Sequence, residues 1–168
     1  MRYIEALEEF LHDNNGFDNN NGYDKGVPSI FLAGGITGCS DWQTQIVELL
    51  KDENVILLNP RRKNFPIDDP KASYEQIFWE YNHLRRATAI SFWFPKETLC
   101  PITLLELGKW IVSKKPLFIG IDKEYKRLKD VKLQTALERV NMEKPTFYYS
   151  IEDLAEAIRK FVRTDVNY

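Results

Sequence analysis

The sequence predicts a three-layer α/β domain, a parallel five-stranded sheet with helices on both faces. Three observations point there. Short apolar runs recur along the chain as unbroken stretches, the pattern of strands buried on both faces. The segments between them carry apolar side chains at helical spacing behind capping signatures. Regular alternation of the two element types requires crossovers, and right-handed crossovers lay the strands parallel.

The chain has 168 residues, enough for one domain with a full core and too few for two. Hydrophobic residues make up 43% and charged residues 29%, a balance too apolar for general disorder. Basic and acidic side chains number 23 and 25, for a net charge of −2. No global field therefore draws the chain to a nucleic-acid polymer or a membrane surface. No run approaches the roughly 18 apolar residues of a membrane span, and the opening MRYIEALEEFL is acidic where a signal peptide is basic and then apolar. A cytoplasmic location is expected. Cys39, Cys100, His12 and His83 are too few for a disulfide framework or a zinc site. Neither metal nor cofactor is expected.

Taken in order, residues 3–12 place Ile4, Leu7 and Leu11 on one helical face with Glu5, Glu8 and Glu9 elsewhere, so an amphipathic helix is expected. From His12 to Pro28 the chain is rich in Asn, Asp and Gly, residues with strong turn preferences and little to bury. Residues 1–28 thus read as a helix and an Asn/Gly-rich linker ahead of a domain spanning 29–168. A calcium loop on Asp18, Asn20 and Asp24 is rejected, because Tyr23 stands where such a loop needs glycine. SIFLAG (29–34) is the first buried strand. Ser40 and Gln43 form a capping box ahead of Trp42, Ile46, Leu49 and Leu50. NVILLN (54–59) is the second strand, and the prolines of PRRKNFPIDDP break regular structure after it. Ser73 and Gln76 open the next helix, with Ile77, Phe78, Tyr81 and Leu84 as its apolar stripe. AISFWF (89–94) is the third strand. Thr103 and Glu106 cap a helix that turns Leu104, Leu107, Gly108 and Ile111 inward, and PLFIGI (116–121) is the fourth strand. A charged helix pair or bend over 123–141, a short fifth strand in TFYYS (146–150), and a helix capped by Ser150 with Leu154, Ala157, Ile158 and Phe161 inside complete the chain.

In such sheets ligands sit outside the carboxyl ends of the strands, which singles out the loops 34–40, 59–72 and 95–102 and the end of the fourth strand. Gly34, Gly35, Ile36 and Thr37 can cradle an anion or a hydroxyl-rich ligand on backbone N–H groups. They read equally as a tight turn that lets helix and sheet approach. The spacing is not GxGxxG, no GKS or GKT follows, and Asn59-Pro60-Arg61 stands where a dinucleotide site has an acid. Nicotinamide dehydrogenases and P-loop ATPases are thereby disfavoured. Arg61 and Arg62 can hold a phosphate or carboxylate bidentately, or lie solvated on the surface. Glu80 sits at the edge of its helix's apolar stripe, where a carboxylate is partly desolvated unless Arg85 or Arg86 pairs with it. His83, one turn on, can share a proton with it. Glu106 falls in the first turn of its helix, where the positive dipole end lowers a carboxylate's pKa and keeps it ionised. A fixed, ionised carboxylate can attack an anomeric carbon and form a covalent glycosyl intermediate. The capping box of Thr103 and Glu106 explains the same residues as helix-start hardware, and local spacing alone favours it.

Four segments in order, IFLAGGITGCSDWQ, LLNPRR, FWEYNHLRRATAISFWFPKET and PITLLELGKWI, resemble the nucleoside 2-deoxyribosyltransferase-like family over about residues 29–121. The resemblance implies a flavodoxin-like fold, a homo-oligomer, and cleavage or exchange of the N-glycosidic bond of 2′-deoxynucleosides or their 5′-monophosphates. It places the nucleophile on Glu106, with Gly108 completing the E-x-G segment. The glycine loop that approaches the sugar or its 5′ substituent falls on Gly34 to Thr37, and the tryptophan and acid pair falls on Trp79 and Glu80. Phe31, Asp41, Trp42, Arg61 and Thr103 complete the substrate-binding set it implies, and Glu80 and His83 are the candidate proton donors. Phe31 stands where family members carry a tyrosine, His83 where they carry an aspartate, and Cys100 near the place of a further acid. The expected reading is a transferase or N-glycosidase acting on a nucleoside or nucleotide and a free base. A non-catalytic sensor of a nucleotide-derived ligand is the alternative. An interaction domain using Trp110 on the non-core face is a third.

Overall fold

The computed structural model describes residues 1–7, 26–66, 69–140 and 145–164. Among these residues six parallel strands form one sheet: β1 (Arg2–Glu5), β2 (Ser29–Gly34), β3 (Ile56–Asn59), β4 (Ala89–Phe94), β5 (Leu117–Ile121) and β6 (Phe147–Tyr148), in the order β1-β3-β2-β4-β5-β6. Five helices cover it: α1 (Trp42–Leu49), α2 (Pro70–Arg86), α3 (Pro101–Trp110), α4 (Leu128–Glu138) and α5 (Ile151–Thr164). Period-2 alternation divides the apolar side chains of β2 between two cores. Ile30 and Leu32 join Trp42, Ile46, Leu154 and Ile158 under α1 and α5. Phe31 and Ala33 join Trp79, Leu84, Leu107 and Val131 under α2, α3 and α4. The three layers and the parallel sheet agree with the sequence reading.

One strand was not anticipated. Residues 3–5, expected to begin a helix, lie instead in β1, which pairs in register with β3 from Arg2 opposite Ile56 to Glu5 opposite Asn59. The open edge of β3 supplies a ladder of backbone partners, and Ile4 and Ala6 reach the core by strand alternation. The rest of that helix, and most of the Asn/Gly-rich linker with its rejected calcium loop, lie outside the described residues.

Helix starts differ from the capping boxes. Asp41, one residue beyond Ser40, caps α1 by accepting from the backbone N–H of Thr44 at 3.0 Å. Asp69 caps α2 by accepting from Lys71 at 2.9 Å, with Pro70 behind it, so α2 begins before Ser73. α3 begins at Pro101 after Cys100, whose φ of 48° is left-handed, and no side chain caps it. Proline at the first helical position, where its missing N–H costs nothing, overrides the Ser/Thr spacing in both helices. Ser150 does cap α5, accepting from Asp153 N at 3.1 Å. Gly108 and Leu49 are exposed rather than inward, and Trp110 is half-buried against the core rather than exposed.

The largest departure is the rotation of α2. Ala72, Gln76, Trp79, His83 and Leu84 face inward, whereas Ile77, Phe78 and Tyr81 are exposed. Among the described residues, no helix is long and apolar enough to cross a membrane.

α5 is fastened to the end of α1 by Glu53, 8% exposed. Its carboxylate accepts from Arg159 Nε at 3.1 Å and from Arg163 Nη2 at 2.7 Å, and Arg159 Nη2 also donates to the Leu49 carbonyl at 2.6 Å. The Arg163 hydrogen bond, reinforced by the charges of both arginines, holds the Glu53 pKa below the usual carboxylate value. A depressed folded-state pKa stabilises above the unfolded pKa of about 4.3, and that contribution is lost as pH falls through the folded value. Glu53→Gln is therefore expected to lower the urea midpoint at pH 7. Its difference from the wild type should narrow as the pH falls through the acidic range, and a pH-independent difference would contradict this account.

Candidate active site

The carboxyl ends of β2, β3 and β4 open into one cavity of about 600 Å³. From β2 come Phe31, Ala33 and the turn Gly34, Gly35, Ile36 and Thr37; after β3 come Pro60, Arg62 and Phe65. α2 contributes Gln76, Ile77 and Glu80, and the start of α3 contributes Ile102, Thr103 and Glu106, with Thr98, Cys100 and Pro101 leading into it.

The glycine turn has this sequence because its neighbours leave no room. A Cβ on Gly34 would lie 2.5 Å from the indole of Trp42 and 2.7 Å from the Trp93 carbonyl, and one on Gly35 would lie 2.7 Å from Pro95. The Gly35 carbonyl accepts from Trp42 Nε1 at 3.0 Å and from Gln43 Nε2 at 3.3 Å. Arg61 grips the turn from outside the cavity, donating from Nη2 to the carbonyls of Ile36 at 2.7 Å and Ser40 at 3.2 Å, with Nε 3.8 Å from Asp41. Among the sequence candidates, Asp41, Trp42 and Arg61 thus surround the turn without lining the cavity. Arg62 is the arginine of the lining, its guanidinium 5.4 Å from the Phe65 ring.

Trp79 and His83 lie behind the opposite wall, their rings 4.1 Å apart and Trp79 6.0 Å from Phe31. Burial, with a smaller contribution from Arg86, pulls the His83 pKa down to about 4, so the ring is neutral around pH 7. Phe31, Gly34, Gly35, Ile36, Thr37, Glu80, Thr103 and Glu106 come together around the cavity. Gln76 was read from the sequence only as part of a cap. Its spacing of four from Glu80, which stacks the two on one helical face, was the available signal.

Glu106 is the sixth residue of α3, beyond the first turn in which the helix dipole acts. Its pKa is accordingly not lowered. Burial, and then the negative charge of Glu80, push it up to about 8, against a smaller opposing pull from Lys109. Burial also raises the Glu80 pKa, opposed by the hydrogen bond from Gln76. With both values raised and Glu106 lifted further by the charge of Glu80, the pair retains a proton around neutral pH. Such a pair can supply one carboxylate nucleophile and one proton donor in the same space. Cys100 offers no rival nucleophile: burial pushes its thiol up to about 12, far from thiolate chemistry. Among the described residues, no group of three or more His, Cys, Asp or Glu side chains is placed to hold a metal ion.

Residues 27–125 match a family model described as nucleoside 2-deoxyribosyltransferase like, a stretch running from the residues before β2 to the turn after β5. No curated protein matches the chain.

Proposed function

The chain belongs to the nucleoside 2-deoxyribosyltransferase-like family, and from that premise we propose that it cleaves or exchanges the N-glycosidic bond of 2′-deoxynucleosides or their 5′-monophosphates. Support comes above all from Glu106 and Glu80 lining one cavity with the glycine turn. In this reading a Glu106 carboxylate oxygen attacks C1′, the C1′–N bond breaks, and its electron pair leaves with the base. The base takes a proton from Glu80. A second base, or water, then attacks C1′ and gives its proton to Glu80, while the ester electrons return to Glu106. Two displacements at one carbon retain the configuration.

Glu80 serves as proton donor in preference to His83, which is neutral around pH 7 and stands outside the lining. Phe31 presents a hydrocarbon wall to the cavity, and the role of the phenol it replaces passes in this reading to the two carboxyl groups. Arg62 brings a cation to the lining, which suits an anionic 5′ substituent. Its planar, permanently charged group matches a phosphate better than a hydroxyl.

Self-association belongs to the same reading. The exposed faces of α2 and α3 carry Tyr74, Ile77, Phe78, Tyr81, Ile102 and Leu105, an apolar concentration of the kind found at subunit contacts. Ile77 and Ile102 also line the cavity, so a second copy seated there would border the mouth of the site.

Incubating a deoxynucleoside or its monophosphate with a different free base, followed by chromatography, should yield either the exchanged nucleoside or free deoxyribose. Glu106→Ala should reduce both to background, and undiminished turnover would exclude the mechanism. Ligand binding without turnover in the wild type would return the sensor reading. The pH dependence of kcat/KM should be bell-shaped. Activity falls below the lower carboxylate value because no nucleophile is ionised, and it falls above about 8 because neither carboxyl retains a proton. Sedimentation of the wild type should show a species larger than a monomer, and Ile77→Asp with Phe78→Asp should dissociate it. A monomeric wild type would remove the subunit contact from the account.

A further inference from the structure

Gln76 joins the backbone after β3 to the acid Glu80. Its Nε2 donates to the Pro60 carbonyl at 2.7 Å and to Glu80 Oε1 at 2.8 Å, so both amide protons are committed. The orientation of the amide is unambiguous, because a carbonyl can only accept and the nitrogen must therefore face Pro60. The side chain is 9% exposed, and among the described residues its Oε1 has no hydrogen-bond partner. A buried acceptor left unpaired is unfavourable and calls for an explanation. Here it accompanies an amide whose nitrogen is held against a carboxyl group in the cavity.

We propose that Gln76 is a positioning residue for proton transfer: its amide pins Oε1 of Glu80 and leaves Oε2 as the oxygen that carries the proton taken by the departing base. This rests on the reading of Glu80 as the general acid. A carboxyl oxygen that accepts a hydrogen bond is the carbonyl-like one, so the acidic hydrogen belongs on its twin. The same N–H also favours ionised Glu80, so the group gives up its proton to the base more readily than burial alone would permit. The other titratable or charged groups around the pair are Arg62 after β3, His83 on α2, Cys100 before α3, and Glu106 and Lys109 on α3. None of them is shared between Pro60 and Glu80 as Gln76 is.

The test compares the full-length wild type with Gln76→Leu and Gln76→Met, two uncharged side chains of similar volume, so that misfolding of one leaves the other. Each is assayed with a natural deoxynucleoside and with a 4-nitrophenyl 2-deoxyriboside, whose leaving group needs no proton. The expected result is a fall of about tenfold or more in kcat on the natural substrate, within the range of general-acid effects. On the activated substrate kcat should stay within about threefold of the wild type by the same reasoning. The ascending limb of the pH profile, set by the lower carboxylate value, should move to higher pH, because Glu80 without its N–H donor holds its proton more tightly. Equal losses on both substrates, no loss on either, or an unmoved limb would overturn the proposal. Glu80→Gln in parallel separates the two levels. If it keeps natural-substrate turnover, the general-acid reading fails and takes this one with it. If it shows the leaving-group-selective loss and the Gln76 variants do not, Gln76 alone is excluded.

Discussion

Glu80 and Glu106 line one cavity whose walls desolvate both carboxyls, and the chemistry proposed for the site follows from that restriction. Each carboxyl is raised by burial, and the charge of Glu80 raises Glu106 further. A lone carboxylate on a solvated helix would be ionised and ready to attack, with no partner able to protonate a leaving base. Two carboxylates in one desolvating cavity retain a proton around neutral pH, so in the proposed reading the nucleophile and the acid arise from the same electrostatic conflict. A pKa near 8 on Glu106, raised in part by the charge of Glu80, leaves the resting proton on Glu106, so the proposed attack requires that proton to pass to Glu80 as positive charge develops at C1′ and favours the ionised form of the nearer carboxylate.

The cavity depends on a turn that is held from several sides. Trp42 and Gln43 donate to the Gly35 carbonyl from within α1, and Arg61 donates to Ile36 and Ser40 from the loop after β3. These contacts use the turn's carbonyls and leave the cavity side to Gly34 through Thr37. The adjacent arginines divide the work. Arg61 secures the turn and Arg62 enters the lining.

Much of the fold was legible because buried parallel strands write themselves as unbroken apolar runs. SIFLAG and AISFWF became β2 and β4 with no change of boundary. The missed strand β1 has no such signature: four residues on an edge need only one core-facing side chain, Ile4, and their pairing depends on β3 far along the chain. Helix starts were misread because Ser/Thr and Gln/Glu three apart occur by chance in a polar sequence. Asp69-Pro70 and Cys100-Pro101 were in plain view. Moving the start of α3 to Pro101 removes Thr103 and Glu106 from a capping role and sets Glu106 in the second turn. Glu80 and Glu106 were visible as candidates, but the direction of the Glu106 shift depends on a cavity formed by separate segments, which local spacing cannot report. Asp41, Trp42 and Arg61 belong to the matching segments and serve the turn from behind.

Helix α2 shows how the site and the fold are reconciled. Local hydrophobicity favours burying Ile77, Phe78 and Tyr81, which would carry Glu80 and Gln76 away from the cavity, since each residue of rotation turns a helix by about 100°. The helix instead buries Gln76, Trp79 and His83. Polar anchors along its length oppose the turn. Asp69 caps the first turn, Gln76 is tied to Pro60 in the middle, and Lys115 Nζ donates to the carbonyls of Leu84 and Arg85, each at 3.0 Å, and to that of Ala87 at the far end. Trp79 adds aromatic contacts with Phe31 and His83 on the buried side. Holding Glu80 inside therefore leaves an apolar stripe outside, and covering that stripe in a subunit contact would recover the hydrophobic stabilisation given up in orienting the acid. On this view the proposed association of subunits and the proposed role of Glu80 as proton donor have one origin, the rotation of a single helix.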